Sequence, residues 1–239
     1  MQKYSFRSST LAEREEFYSQ EFSISKIKKF FRKNKIPYPQ LCAVDAGSET
    51  GVILDKEHKG KMFYFKFSEL NKKIKHYLPE DVYYDRNRYK DPDKILKTLN
   101  FRERISEELV FDLDIDNLSK GKNNLNEKNL KFLFSQAVKM KKELYKIGFK
   151  KILIIYSGRG FHVHILDKNA CLLNSMERDK LNKRFSRYPI DPWVSRGFIH
   201  LIRMPYTLNS LVSRIVIPVK NDRINFNESI PRFLVKDSS

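Results

Sequence analysis

Cysteine is nearly missing from this chain: its 239 residues contain two, Cys42 and Cys171, with no CxxC pair. That excludes a disulfide framework and a cysteine-rich zinc site, and it makes a reducing, intracellular setting the expectation. Long apolar runs are missing too. No stretch approaches the roughly 20 residues a membrane span requires, and Met1 to Leu11 is too polar for a secretory signal, so neither membrane association nor export is expected. Eight glycines and nine prolines are scattered rather than clustered, and no repeat is present. One domain over residues 1–239 is therefore expected, with N-terminal helices at about 10–36 packed on it. A hydrophobic content of 41% is enough for a full core.

Acidic residues are the other shortage. Twenty-nine Asp and Glu face forty-seven Lys and Arg, a net charge of +18. An excess of that size points to a polyanion partner, most often nucleic acid; a lysine-rich composition with no such role is the competing explanation. Against this background Asp112, Asp114 and Asp116 stand out in the run Leu109-Val110-Phe111-Asp112-Leu113-Asp114-Ile115-Asp116. The intervening Leu, Val, Phe and Ile predict a buried strand, and a period of two puts the three carboxylates on one face. Like charges so close repel unless a cation lies among them, which suggests a divalent metal site with hard oxygen ligands. A strand with a solvated outer face is the alternative. A calcium loop is excluded, because its sixth position, Asn117, should be Gly and its twelfth, Asn123, should be a bidentate Glu.

The remaining pattern is mixed. Thr10 with Glu13 reads as a capping box opening a helix through Phe17 and Tyr18, and a second helix begins near Ser25 and ends before Pro37. Residues 52–54 and 62–67 read as strands of a hairpin. From Asn126 to Gly148 apolar residues recur at helical spacing. Residues 152–156 and 161–166 read as strands joined by the turn Ser157-Gly158-Arg159-Gly160, and residues 198–202 and 214–219 as two more. Without a regular βα repeat, an α+β architecture is expected.

Two further clusters carry chemistry. The octet Ser157-Gly158-Arg159-Gly160-Phe161-His162-Val163-His164 combines close backbone approach at Gly with a hydroxyl, a guanidinium and imidazoles, all able to hold phosphate oxygens. His162 and His164 alternate on a strand and so share a side; structural histidines or an HxH metal pair are the other readings. Asp191, in Ile190-Asp191-Pro192-Trp193-Val194, is by itself an ordinary turn residue, followed by His200-Leu201-Ile202-Arg203-Met204-Pro205.

Together these stretches resemble the catalytic subunit of archaeo-eukaryotic primases and the wider primase-polymerase superfamily. That family shows an apolar strand carrying hDhD, then SGxRGxHxH, then a lone Asp in an ID..V segment followed by LIR.P. Asp81-Val82-Tyr83-Tyr84 with Tyr89 and Pro92, and Arg14 with Phe17-Tyr18, add to the likeness, which covers about residues 10 to 220. The resemblance implies a primase-polymerase catalytic fold of mixed and antiparallel sheets flanked by helices. It implies two Mg²⁺ or Mn²⁺ ions on Asp112, Asp114 and Asp191, and a nucleotide triphosphate held by Ser157, Arg159, His162 and Arg203. Asp116 has no family role and is expected to be outer-sphere or solvated.

The implied activity is template-dependent synthesis of short RNA or DNA primers on single-stranded DNA from nucleoside triphosphates. The setting would be cytoplasmic or nucleoid-associated, and a large primase subunit is an implied partner. A gap-filling or end-joining polymerase, a catalytically silent nucleic-acid-binding subunit and a metal-dependent nuclease are the rivals. Where the family has SLHGKTG this chain has Thr207-Leu208-Asn209-Ser210-Leu211-Val212-Ser213. Asn209 thus replaces His, and would bind the nucleotide only as a hydrogen-bond donor, while Leu211 replaces Lys. The stretch from Asn117 to Gln136 has no Cys or His, so a form without structural zinc is expected.

Overall fold

Thr10 Oγ1 accepts from the Glu13 amide at 3.3 Å while a Glu13 carboxylate oxygen accepts from the Thr10 amide at 2.7 Å. This reciprocal cap starts the first helix. The computed structural model describes residues 5–47, 62–118, 124–191, 194 and 200–236. In chain order come α1 (Leu11–Gln20), α2 (Ile24–Lys33), β1 (Leu41–Asp45), β2 (Met62–Lys66), α3 (Leu70–Tyr77), β3 (Asp81–Asp85) and β4 (Asn87–Tyr89). Then follow α4 (Pro92–Thr98), β5 (Arg104–Glu107), β6 (Leu109–Asp114), α5 (Glu127–Lys146), β7 (Ile152–Tyr156), β8 (Gly160–Ile165), α6 (Lys168–Cys171) and α7 (Ser175–Arg184). The last elements are β9 (Leu201–Arg203), β10 (Leu208–Asn209), β11 (Arg214–Ile215), β12 (Ile217–Pro218) and α8 (Arg232–Lys236).

Two four-stranded sheets, ordered β2-β1-β3-β9 and β12-β7-β8-β6, carry the fold, with short pairs β4-β5 and β10-β11 beside them. All strand pairings among the described residues are antiparallel. Alternation along β6 decides the packing. Leu109, Phe111 and Leu113 join Leu130, Leu133 and Ala137 of α5 in one core. Val110 faces the other way, into a core shared with Val82 and Tyr84 of the first sheet and with Phe17, Phe30 and Phe31 of the N-terminal helices. The second sheet is thus covered on both faces, and its acidic residues lie at the end of the face turned toward the first sheet.

Three expectations change. β6 ends at Asp114, whose Oδ1 accepts from the Asp116 amide at 2.9 Å and opens a 3₁₀ turn over Ile115–Asn117; Asp116 therefore leaves the strand face. Residues 214–219 split between two sheets, because the Val216 amide and carbonyl bond to Thr207 and Tyr206 and turn the chain from β11 to β12. The strand expected at 198–202 is seen as Leu201–Arg203, with 198 and 199 outside the described residues, as is the strand expected at 52–54. The long helix, the β7–β8 hairpin and both N-terminal helices form as expected. Among the described residues no helix is long and apolar enough to cross a membrane.

Gly160 shows how tightly β6 and β8 approach. A Cβ there would lie 2.0 Å from the Leu113 carbonyl oxygen, a backbone atom that cannot swing aside. Gly160→Ala is therefore expected to cost about 3 kcal/mol of stability, the upper range for overpacking, read as a lower denaturant midpoint at unchanged m-value.

Candidate functional site

Pairing of β6 with β8 sets Asp112 opposite His162 and Asp114 opposite Gly160. The free edge of β6 is then taken by the segment before the third aspartate. Leu113 bridges Ile190, and the Asp191 amide donates to the Asp112 carbonyl at 2.7 Å. Residues 79 positions apart in sequence are thereby held as neighbours by a main-chain bond, and the Asp191 charge acts directly on Asp112.

The electrostatics follow from burial. The Asp112 carboxyl is pushed up to about 8, chiefly by loss of water, then by the Asp114 charge and, more weakly, by Asp191, against an opposing pull from Arg203. Its Oδ1 is buried without a hydrogen-bond partner. His162 Nε2 is the near neighbour at 3.7 Å, too far for a hydrogen bond. Burial also drives the His162 imidazole well below its ordinary value, helped by the nearby His164, Arg203 and Arg86. His162 is thus neutral here and offers hydrogen bonds rather than charge. Burial raises Asp114 as well, opposed by the Asp116 amide and Arg159.

The cations are arranged around these acids. Arg159 pairs with Asp116 at 2.5 Å and lies 3.8 Å from Asp114. Arg203 makes two bonds to Asp81, at 3.0 and 2.8 Å, and stacks over Tyr83. Burial works against the Arg203 charge, but Asp81, Tyr83 and Asp112 outweigh it and hold the guanidinium protonated. The turn itself is internally braced: Ser157 Oγ accepts from the Gly160 amide at 3.2 Å, and Asn209 Nδ2 donates to the Ser157 carbonyl at 2.8 Å. Gly158 adopts φ +98°, a left-handed value that suits glycine, with the Asn209 amide directly beneath it. Asn209 is fully buried, so its amide supports the turn from below, and its Oδ1 is left without a partner.

An orphaned, buried carboxylate oxygen beside two further carboxylates suits a hard divalent cation. As the side chains stand, no set of three His, Cys, Asp or Glu groups among the described residues closes into a metal cage. Asp114 Oδ1 accepts from the Asp116 amide.

Sequence reasoning missed the charged groups behind the site. Glu107 is buried between Arg86 at 3.3 Å, Arg178 at 3.2 Å and His200 at 3.2 Å, tying β5 to α7 and to the residue before β9. Glu108 takes His164 Nδ1 at 2.7 Å and the Tyr84 hydroxyl at 2.9 Å. Extending the period of two backward from Asp112 would have put Glu108 on the same face. No local signal pairs Arg203 with Asp81, 122 residues away.

The sequence signature of the DNA primase small subunit matches residues 111–188, from the acidic strand through the phosphate-type turn to just before Asp191. An Archaeoglobus fulgidus protein described as an uncharacterized DNA primase small subunit-like protein is 34% identical over 98% of this chain and 95% of its own length. The DNA primase small subunits of Thermococcus sibiricus and Pyrococcus furiosus are 28% and 29% identical over 74% and 73% of this chain. The chain spans 49% and 48% of those two proteins, about half their length. In fold, the polymerase domain of Mycobacterium tuberculosis Ligase D, solved in complex with DNA, superposes with a TM-score of 0.53 at 13% identity, covering 95% of this chain and 88% of that one. The chain belongs to the DNA primase small-subunit family, and its α+β fold is that of a primase-polymerase domain.

The raised Asp112 carboxyl fixes a pH dependence. Its folded value lies above its unfolded one, so the stability it contributes is complete at acid pH and is lost as pH rises through about 8. In chelator, melting temperature is expected to fall between pH 5 and 9, and Asp112→Asn to flatten that slope and gain about 2 kcal/mol at the alkaline end, a discounted share of the shift. Added Mn²⁺ should restore the wild type and leave the variant unmoved.

Proposed function

We propose that this protein is a template-directed nucleotidyltransferase that makes short RNA or DNA primers on single-stranded DNA. Membership of the primase small-subunit family and the primase-polymerase fold support nucleotidyl transfer as the class. The observation that supports the finer reading is the Asp191–Asp112 main-chain bond, which ties the backbone at Asp191 to that at Asp112.

Asp112, Asp114 and Asp191 would hold the divalent ions. When bound, such ions lower the pKa of an attacking hydroxyl and neutralise a departing pyrophosphate. The residues of the chain do the rest. Ser157 and the Gly158–Gly160 backbone shape a turn that phosphate oxygens can approach closely, and Arg159 can exchange its solvent-exposed partner Asp116 for a phosphate. Neutral His162, whose Nδ1 is buried without a partner, could offer a bound group a hydrogen bond beside Asp112 without adding charge. Arg203, locked on Asp81, supplies a fixed positive field that acts on Asp112 and His162. The net charge of +18 suits a template phosphate backbone.

A polymerase that extends strands without starting them is the second reading, favoured by Asn209 and Leu211. The family's His and Lys are absent there, and Asn209 is turned under the loop. Starting a strand requires two free nucleotides to be held at once, so a weaker phosphate grip handicaps initiation first.

Product on an unprimed circular single strand with Mn²⁺ is the expected result; product only from a primed template would favour extension. Asp112→Asn should lower either activity by about a thousandfold or more while single-strand affinity stays within about twofold. Incorporation at the wild-type rate by that variant would leave a nucleic-acid-binding role and remove the enzymatic one.

A further inference from the structure

A cavity of about 390 Å³ opens between the N-terminal helices and the far end of the two sheets. It falls within the size range of small-ligand sites. None of Asp112, Asp114, Asp191, Ser157, Arg159, His162 or Arg203 lines it. Glu108, on its wall, lies four residues before Asp112 on the same strand face, about 13 Å away at strand rise.

The lining is graded from apolar to charged. Phe31, Ile36, Pro39, Leu166 and Leu172 supply flat apolar walls, and Leu172 is 70% exposed at this surface. Lys35, Lys151 and Lys168 are exposed, and none of them forms an ion pair among the described residues, while Arg88 is spent on the carbonyls of Pro37 and Tyr38. Two carboxylates, Asp85 and Glu108, also line the cavity and are well buried. Both carboxylates are already met within the chain, Asp85 by the Asn87 amide and the Tyr89 hydroxyl and Glu108 by His164 and Tyr84, so a ligand matching this gradient has an anionic end for the lysines and a flat apolar body. We infer that the cavity is a second, non-catalytic site for a nucleoside phosphate, free or at the end of a strand.

Cys171 makes this testable, because it lines the cavity and is partly exposed, whereas Cys42 is wholly buried and serves as the silent control. The full chain would be alkylated with iodoacetamide in chelator, where divalent-dependent nucleotide binding at the carboxylates is suppressed, and Cys171 modification followed by mass spectrometry. ATP is expected to slow Cys171 alkylation at least about fivefold, with the half-protecting concentration unchanged in Asp112→Asn. The double variant Lys151→Glu, Lys168→Glu should raise that concentration by about tenfold or more. A 5′-phosphorylated trinucleotide run in parallel separates the sources: protection at lower concentration than ATP means a strand end, and the reverse means a free nucleotide, either order supporting the site. Absence of protection by both, protection by inorganic phosphate to the same extent, or protection unchanged in the double variant would overturn it.

Discussion

Two carboxylates at alternate positions of a strand that is otherwise apolar and covered on both faces set the terms for the surrounding structure. Asp112 and Asp114 cannot be removed to solvent without breaking the β6–β8 register, which Gly160 packs against the Leu113 carbonyl. Their charge has to be met where they stand. The protein meets it in part with Arg203 and Arg159, in part by letting Asp112 keep a proton, and leaves one oxygen unpartnered. A carboxylate held this way is costly in isolation and well suited to a cation.

The second tier of charge explains why the first can be so exacting. Arg86 reaches Glu107, the Glu108 carbonyl and the Val194 carbonyl, while Arg178 bonds the Glu107 carbonyl from α7. These contacts join the start of β6 to the segment after Asp191 and to the helix between them. Breaking one partner of such a buried set leaves an unpaired charge, which is the expensive outcome. The site is therefore supported from behind by ionic contacts and from the side by backbone pairing.

Much of this was legible in the sequence, and the limits have physical causes. The Thr10–Glu13 cap, the α5 periodicity and the β7–β8 hairpin are local, and each formed where the pattern put it. Asp116 was misplaced because a strict period of two says nothing about where a strand stops; Asp114 ends it by capping its own turn. Asp191 carried no signal beyond its resemblance to a family pattern, since its position rests on a bond to a residue far along the chain. The triphosphate role of Arg203 comes from the family pattern, which says nothing of its partner Asp81 in another strand. Asn209 was read as a ligand donor, and the fold gives its amide a carbonyl of the turn. Pairings that depend on tertiary closure are invisible to spacing rules.

The way Asp191 is suspended has an evolutionary reading. Its anchor is an amide giving to a carbonyl, a contact available to every residue type except proline at the donor position. Side chains on either side of the anchor can therefore drift, and surface loops between Asn117 and Ile190 can gain or lose length at small entropic cost, without shifting the aspartate. A single rung of backbone thus fixes where Asp191 meets the edge of β6, whatever the length of chain between the two.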